Sequence, residues 1–432
     1  MKAIKLFKGV ITLLSLQGIL MSAQIKHITI NNTQIPVIFE KQTTLPILNM
    51  QLVFQNSGSI QDKDLNGIAS FSALLLNEGT KRLGSTAFAS KLESNAISIN
   101  TTNGFETFVI EVSSLKEVNN KAFKFLKELL EDPNYDNKVI DKIKTIQIGS
   151  LKRKENDYDY ISRNLLKEIL FKDTPLQYPS SGTIQSLSKI KLEDVKGFIK
   201  NTFNLSNLII VAGGDIEFEE LEKNIINTLE TLPIGEKKEL IKFEIKAKPT
   251  TKELIKDTQQ AYIYFGSKFN AFVKDEDVYM AKVASFILGG SGFGSRLMEE
   301  IRVKRGLAYS AYGYVSINKS HSYFTGYLQT KLESAKEAQK LVSKIVNDFV
   351  KEGVTKEELE AAKNFLTGSE PLRTETLSQR LNRAFNLYYK GLEQDYAQKE
   401  LDKIQNLKLE DLNNYIKSHI EIKDLSFSIV RK

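Results

Sequence analysis

Arg302 and Tyr309 stand seven residues apart, on either side of Gly306, in the stretch GGSGFGSRLMEEIRVKRGLAYS that begins at Gly289. A guanidinium and a phenol both donate hydrogen bonds, so the pair suits a carbonyl oxygen that gains charge under attack. Gly289, Gly290, Gly292 and Gly294 permit backbone shapes closed to other residues, and close approach to a ligand chain. They are therefore candidate substrate-binding positions. The glycines do not form a phosphate loop, because no GxGxxG opens a helix after a strand and no GK[ST] follows. Residue types alone also allow a plainer arrangement, with Arg302 in a surface salt bridge and Tyr309 half buried.

The elements that must hold this pair are a short helix and a strand. Ser295 is a good N-cap, Glu299 and Glu300 sit near the positive end, and Lys304 and Arg305 fall in the last turn before Gly306. A strand over 307–315 follows. Its period of two puts Tyr309 on one face with Leu307 and Ala311, and Tyr312 and Tyr314 on the other. A second stretch, GIASFSALLLNEGT from Gly67 to Thr80, predicts a helix on which Ser70, Phe71, Ser72, Ala73 and Leu74 are packing residues.

The chain repeats itself. KLEDVKGFIK from Lys191 resembles KLEDLNNYIK from Lys408, and each is followed by a β-branched run. Ser114 with Glu117 and Thr330 with Glu333 form capping-box patterns at nearly the same offset. Both follow alternating strand-like segments, and both open amphipathic helices that end near Glu131 and Glu352. An internal duplication follows. The expected halves cover 24–234 and 250–432, joined by a linker at 235–249. Each reads as an α+β unit of one sheet with helices on a face, not as a strict βαβα alternation.

With 432 residues, each half is long enough for its own core. The formal charge is +7, with acidic and basic residues interleaved and no basic stripe, so no nucleic-acid partner is expected. Residues 1–23 have the layout of a secretory signal: three lysines, an apolar run, then Ser22 and Ala23. Cleavage after Ala23 and retention as an uncleaved anchor both remain open. There is no cysteine, hence no disulfide framework, and His27, His321 and His419 are scattered singly.

The patterns G-I-A-x-F-x-x-x-L-x-x-x-G-T and S-R-L-x-x-x-I-R-x-x-x-G-L-A-Y, in two homologous halves, resemble the pitrilysin/insulinase family of zinc peptidases. The likeness is to its mitochondrial-processing-peptidase-like branch. In active members the first pattern carries H-x-x-E-H on a helix, with a further glutamate about 76 residues on. The resemblance puts Ser70 and Leu74 at the two histidines, Ala73 at the catalytic glutamate, and Ser150 near the distal ligand. None of the four binds zinc well, so no metal is expected in this chain. The second pattern is intact, and the resemblance makes Arg302 and Tyr309 the pair that holds the substrate carbonyl. It implies a zinc-less subunit of an exported, periplasmic heterodimeric peptidase. A zinc-bearing paralogue would supply the metal, and a peptide would be bound by strand addition to a sheet edge. A non-catalytic peptide-binding or structural core subunit, and a homodimer of the isolated chain, remain as alternatives.

Overall fold

The computed structural model describes residues 23–432, so the candidate leader lies outside the described residues except for Ala23. The first half builds a six-stranded sheet from β1 (Gln24–Ile30), β2 (Thr33–Lys41), β3 (Ile47–Gln55), β4 (Ile97–Asn103), β5 (Thr107–Leu115) and β6 (Leu208–Gly214), in the order β1-β2-β6-β3-β5-β4. The second builds a five-stranded sheet from β7 (Thr251–Ile255), β8 (Gln260–Lys268), β9 (Ala308–Ile317), β10 (Ser322–Lys331) and β11 (Ser426–Arg431), in the order β7-β11-β8-β10-β9. Without β1 the two orders are the same. In each, one pair is parallel (β2 with β6, β7 with β11) and the other neighbours are antiparallel. The duplication expected from the sequence is therefore a duplication of topology. β6 reads LIIVAGG because both of its faces are buried.

The capping boxes used to find the repeat are not formed. Ser114 stays in the β5 ladder and gives its hydroxyl to Asn119, while Thr330 stays in β10 and gives its hydroxyl to the Leu307 carbonyl. A residue still paired in a strand cannot cap the helix that follows. The helices start later, at Asn119 and Ala335, and end at Glu131 and Glu352.

Each sheet packs its own helices on one face, and the two main cores lie there. The opposite faces are covered by exchange. The Tyr158–Leu170 helix of the first half lies on β8 and β11, and the Leu377–Lys390 helix of the second lies on β2 and β6. Leu377, Leu381 and Tyr389 fill a core with Ile38, Val53, Ile209 and Val211. At this seam Arg380 Nε and Nη2 both donate to Glu40 Oε1, at 2.9 and 2.7 Å, and Glu40 is only 4% exposed. On the other side Ser162 and Ser428 exchange hydroxyl-to-carbonyl bonds at 3.1 and 2.7 Å. The 235–249 segment has no regular structure but is tied down. Lys238 N–H donates to Asn207 Oδ1, Phe243 N–H donates to the Ser320 carbonyl, and Ile245 is buried beside Leu166 and Leu170.

A polar junction also joins the halves. Glu106 Oε1 accepts from the Ser320 N–H and hydroxyl, and Glu106 Oε2 accepts from the Tyr389 hydroxyl. With the Ser320 proton committed to Glu106, His321 Nδ1 must donate to Ser320 Oγ (2.8 Å), and Nε2 then accepts from Asn318. The ring lies among Phe105, Phe171 and Tyr323. Burial pushes its pKa down to about 4, Lys167 adds to the shift, and Glu106 opposes it. Unfolded, the ring takes a proton near 6.5, so the unfolded state binds more protons between pH 6.5 and 4. Stability from this group is therefore lost as pH falls through that window, by up to about 3 kcal/mol. Asp62, pushed up to about 7 by burial, runs the other way and favours the folded state on acidification. Urea unfolding of the native chain against His321→Asn, at pH 7 and pH 4.5, isolates the histidine. The native chain should lose more stability on acidification than the variant, and parallel losses would refute the assignment.

Candidate functional site

The first-half helix at Ile68–Leu76 carries no ligand set. Ser70 and Leu74 are half buried, Ala73 is buried, and Leu74 packs against the core. Ser150 lies half buried on the Asn137–Lys154 helix, which packs against the first. Among the described residues no three His, Cys, Asp or Glu side chains stand where they could hold a metal ion. These residues do not fit zinc: an alcohol and an isobutyl group stand in place of the two imidazoles, and a methyl group in place of the carboxylate. The helix is nonetheless well built. The buried Asp62 carboxylate accepts from the Gly67 and Ala69 N–H groups at 2.7 and 3.0 Å, closing the helix start in place of an N-cap side chain.

The other site is assembled where the sequence places it, with different local geometry. Ser295 caps the Arg296–Met298 turn, but the helix then continues as an i→i+5 turn over Glu299–Val303, and a matching one occupies Phe286–Gly290. Such wide turns recur at functional sites. Gly306 ends the segment at φ 61°.

Tyr309 does not share a face with Ala311. Between the pairs Ala308↔Thr330 and Ala311↔Leu328, β9 spends two residues against one of β10. This bulge breaks the alternation. Ala311 is buried, whereas Tyr309 is 81% exposed, and Tyr312 and Tyr314 are exposed as well. The plainer arrangement is also set aside. Arg302 forms no salt bridge with any described residue, and its guanidinium carbon lies 4.4 Å from the Tyr309 ring centroid. On Phe293, 70% exposed, the same carbon lies 4.7 Å from the centroid. The neighbouring carboxylate is taken: Lys304 and Arg305 both bind Glu300 and hold its carboxyl below the usual range.

The four glycines divide. Gly292 and Gly294, at φ 68° and 90°, have open space around them and serve the loop's shape. Gly290 is exposed, against the Ser285 carbonyl. Gly289 is buried and unavailable to a ligand: a Cβ there would lie 2.4 Å from the Gly313 nitrogen and 2.6 Å from its oxygen. Because neither backbone group can give, Gly289→Ala is expected to cost about 3 kcal/mol, the upper part of the overpacking range. A thermal or urea unfolding curve checks this, and an unchanged midpoint would mean the strand can move away.

Beside each site the outer edge strand is already engaged at one point. On β4 the Thr101 N–H donates to Asn77 Oδ1 (2.7 Å) and the Thr101 carbonyl accepts from Asn77 Nδ2 (2.9 Å), so a side-chain amide occupies the positions of a peptide. On β9 the Val315 N–H donates to Ser285 Oγ (3.0 Å), and Gly289 crowds Gly313. The sequence reading missed Phe293, Asn77 and Asp62. Only Phe293 carried a signal, as an aromatic set between two glycines.

Comparison with known proteins follows the same lines. A model described as insulinase (peptidase family M16) matches residues 37–184, and one described as the peptidase M16 inactive domain matches 189–366. The non-peptidase homolog YmxG of Helicobacter pylori is 44% identical over 426 residues, covering 98% of each chain. An uncharacterized zinc protease, YmxG of Bacillus subtilis, is 24% identical over 362 residues, 83% of this chain and 87% of that one. The crystal structure of a peptidase M16 inactive domain from Pseudomonas fluorescens shares the fold, with a TM-score of 0.85 at 23% identity, covering 94% of this chain and 98% of that one. Likeness over nearly the whole length, the repeated sheet and the emptied helix together place this chain in the insulinase family of peptidases, M16, as a member without the zinc motif.

Proposed function

We propose that this chain is the zinc-less subunit of an exported, periplasmic heterodimeric peptidase, inactive alone. A zinc-bearing paralogue supplies the metal and the attacking water. This chain supplies Arg302 and Tyr309, which donate to the scissile carbonyl as it gains charge. The observation that carries the reading is the state of that pair: the guanidinium has no carboxylate partner among the described residues, and the phenol stands out into solvent. The test is a mixture. Purified chain and an H-x-x-E-H paralogue of similar length should cleave an unstructured peptide together, and this chain alone should not. A mixture that forms a complex, holds zinc and stays inactive would end this reading.

One observation favours a second reading, a non-catalytic binding or core subunit. The relative at 44% identity is described as a non-peptidase homolog. On that reading the complex forms but substitution of Arg302 changes no rate.

A further inference from the structure

The two halves share one topology, so each serves as a control for the other. Val211 and Ser428 stand at the same offset as Lys191 and Lys408, and in their ladders they face Gln51 and Tyr264. Followed outward, the row in the first half runs Gln51, Glu111, Asn100, and the row in the second runs Tyr264, Tyr327, Tyr312. In the adjacent row Thr102 is paired with Val109 where the second half pairs Tyr314 with Thr325. The first half is polar here, with Gln51 donating to Glu111 at 3.0 Å, as befits a sheet face that meets water. The second half is aromatic. The Tyr264 and Tyr327 rings lie 4.7 Å apart, and Tyr312 and Tyr314 are exposed. The fold therefore does not require tyrosine at these places. An exposed aromatic row that folding does not demand has the composition of a binding surface.

This surface runs on from the candidate site. Tyr312 and Tyr314 follow Tyr309 on β9 by three and five residues, roughly 10 and 16 Å along the strand. Tyr314 also lines a cleft of about 380 Å³ whose apolar side chains include Phe286, Val315 and Leu366. The charged residues of the cleft are Lys282, Arg373, Lys390 and Glu400. Lys282 is paired with Glu400, whereas Arg373 and Lys390 have no carboxylate partner among the described residues. The track is thus aromatic first and cationic beyond. We propose that it binds the stretch of a peptide that leads away from the carbonyl held by Arg302 and Tyr309, and that it selects a large apolar or aromatic side chain followed by an acidic one. Tyr312 and Tyr314 meet the apolar side chain, and Arg373 and Lys390 complement the carboxylate. An extended peptide rises about as much per residue as β9 does, so the apolar side chain stands about three to five residues from the carbonyl. The inference rests on the peptide-holding reading and adds the class of substrate.

The experiment uses the full chain alone and short, amidated, fluorescein-labelled serine-alanine peptides, read by fluorescence anisotropy. One carries a phenylalanine with a glutamate two residues later. The others replace the phenylalanine with serine, or the glutamate with glutamine or lysine. The phenylalanine-glutamate peptide should bind about tenfold tighter than the serine and lysine versions and several-fold tighter than the glutamine version. The advantage of glutamate should shrink at high salt. Tyr312→Asn with Tyr314→Thr installs the residues that the first half carries at the same places. This exchange should abolish the preference for phenylalanine and leave the melting curve unchanged. Arg373→Gln with Lys390→Gln should abolish the preference for glutamate and keep that for phenylalanine. Equal binding of the phenylalanine and serine versions by the native chain, or of the glutamate and lysine versions, would overturn the proposal. So would a native preference in the folded tyrosine variant. If that variant melts early, the comparisons on the native chain decide alone. The peptidase reading is scored separately, in the mixture with the zinc-bearing paralogue. If Arg302→Ala abolishes cleavage there while the peptides bind alike here, the surface fails and carbonyl holding stands. If the peptides bind as expected and the mixture cleaves none of them, the peptidase reading fails and the surface stands.

Discussion

Mixed with a zinc-bearing paralogue, the Arg302→Ala variant is expected to lower peptide turnover by about 10²–10³-fold, with Tyr309→Phe in the same range. The size follows from where the donors act. A group aimed at an oxygen that becomes charged only in the transition state contributes little to the bound substrate and much to the barrier. The loss should therefore appear in kcat and in kcat/KM alike, with KM little changed. The fold should be untouched, because Arg302 and Tyr309 sit at the surface and neither closes a core. Circular dichroism and co-elution with the partner check that point. Full activity in the double variant would leave the pair as mere surface packing.

The second large effect concerns the seam. Arg380→Ala strands the Glu40 carboxylate at 4% exposure, beneath a helix from the other half, with no other ion-pair partner among the described residues. Breaking one side of a buried pair costs about 3–5 kcal/mol, much of it the penalty of the charge left behind. Replacing both members with methionine should be far milder, because no charge then remains to be desolvated. Urea unfolding of Arg380→Ala, Glu40→Met/Arg380→Met and the native chain separates the two cases. If the single and double variants lose equal stability, the charge is not what matters there.

Much of this was legible in the sequence, because the relevant signals are local. The duplication shows in KLEDVKGFIK and KLEDLNNYIK, and the loop, short helix and strand around Arg302 show in Ser295, Gly306 and the alternation after it. What escaped depends on contacts far apart in the chain or on one-residue irregularities. The bulge at Tyr309 is set by how β9 pairs with β10, and a single extra residue reverses every face beyond it. The failed capping boxes at Ser114 and Thr330 reflect strands that run on past the point where propensity would end them. Asn77 closing the edge at Thr101, and Asp62 closing the helix start, are side chains acting as backbone, which no periodicity reveals. The helix exchange is invisible for the same reason: amphipathic residues at 158–170 say that a face is buried, not against which half.

That exchange separates two burdens that evolution often has to change together. The helices that bind the halves to each other are Tyr158–Leu170 and Leu377–Lys390, whereas the helix that would carry metal ligands, Ile68–Leu76, is packed wholly inside its own half. Mutations could erase the first site without loosening the seam, and they could do so in one copy of the repeat while the other kept its arginine and tyrosine. A fused pair of this kind lets each copy change its own site without disturbing the contacts that hold the two copies together.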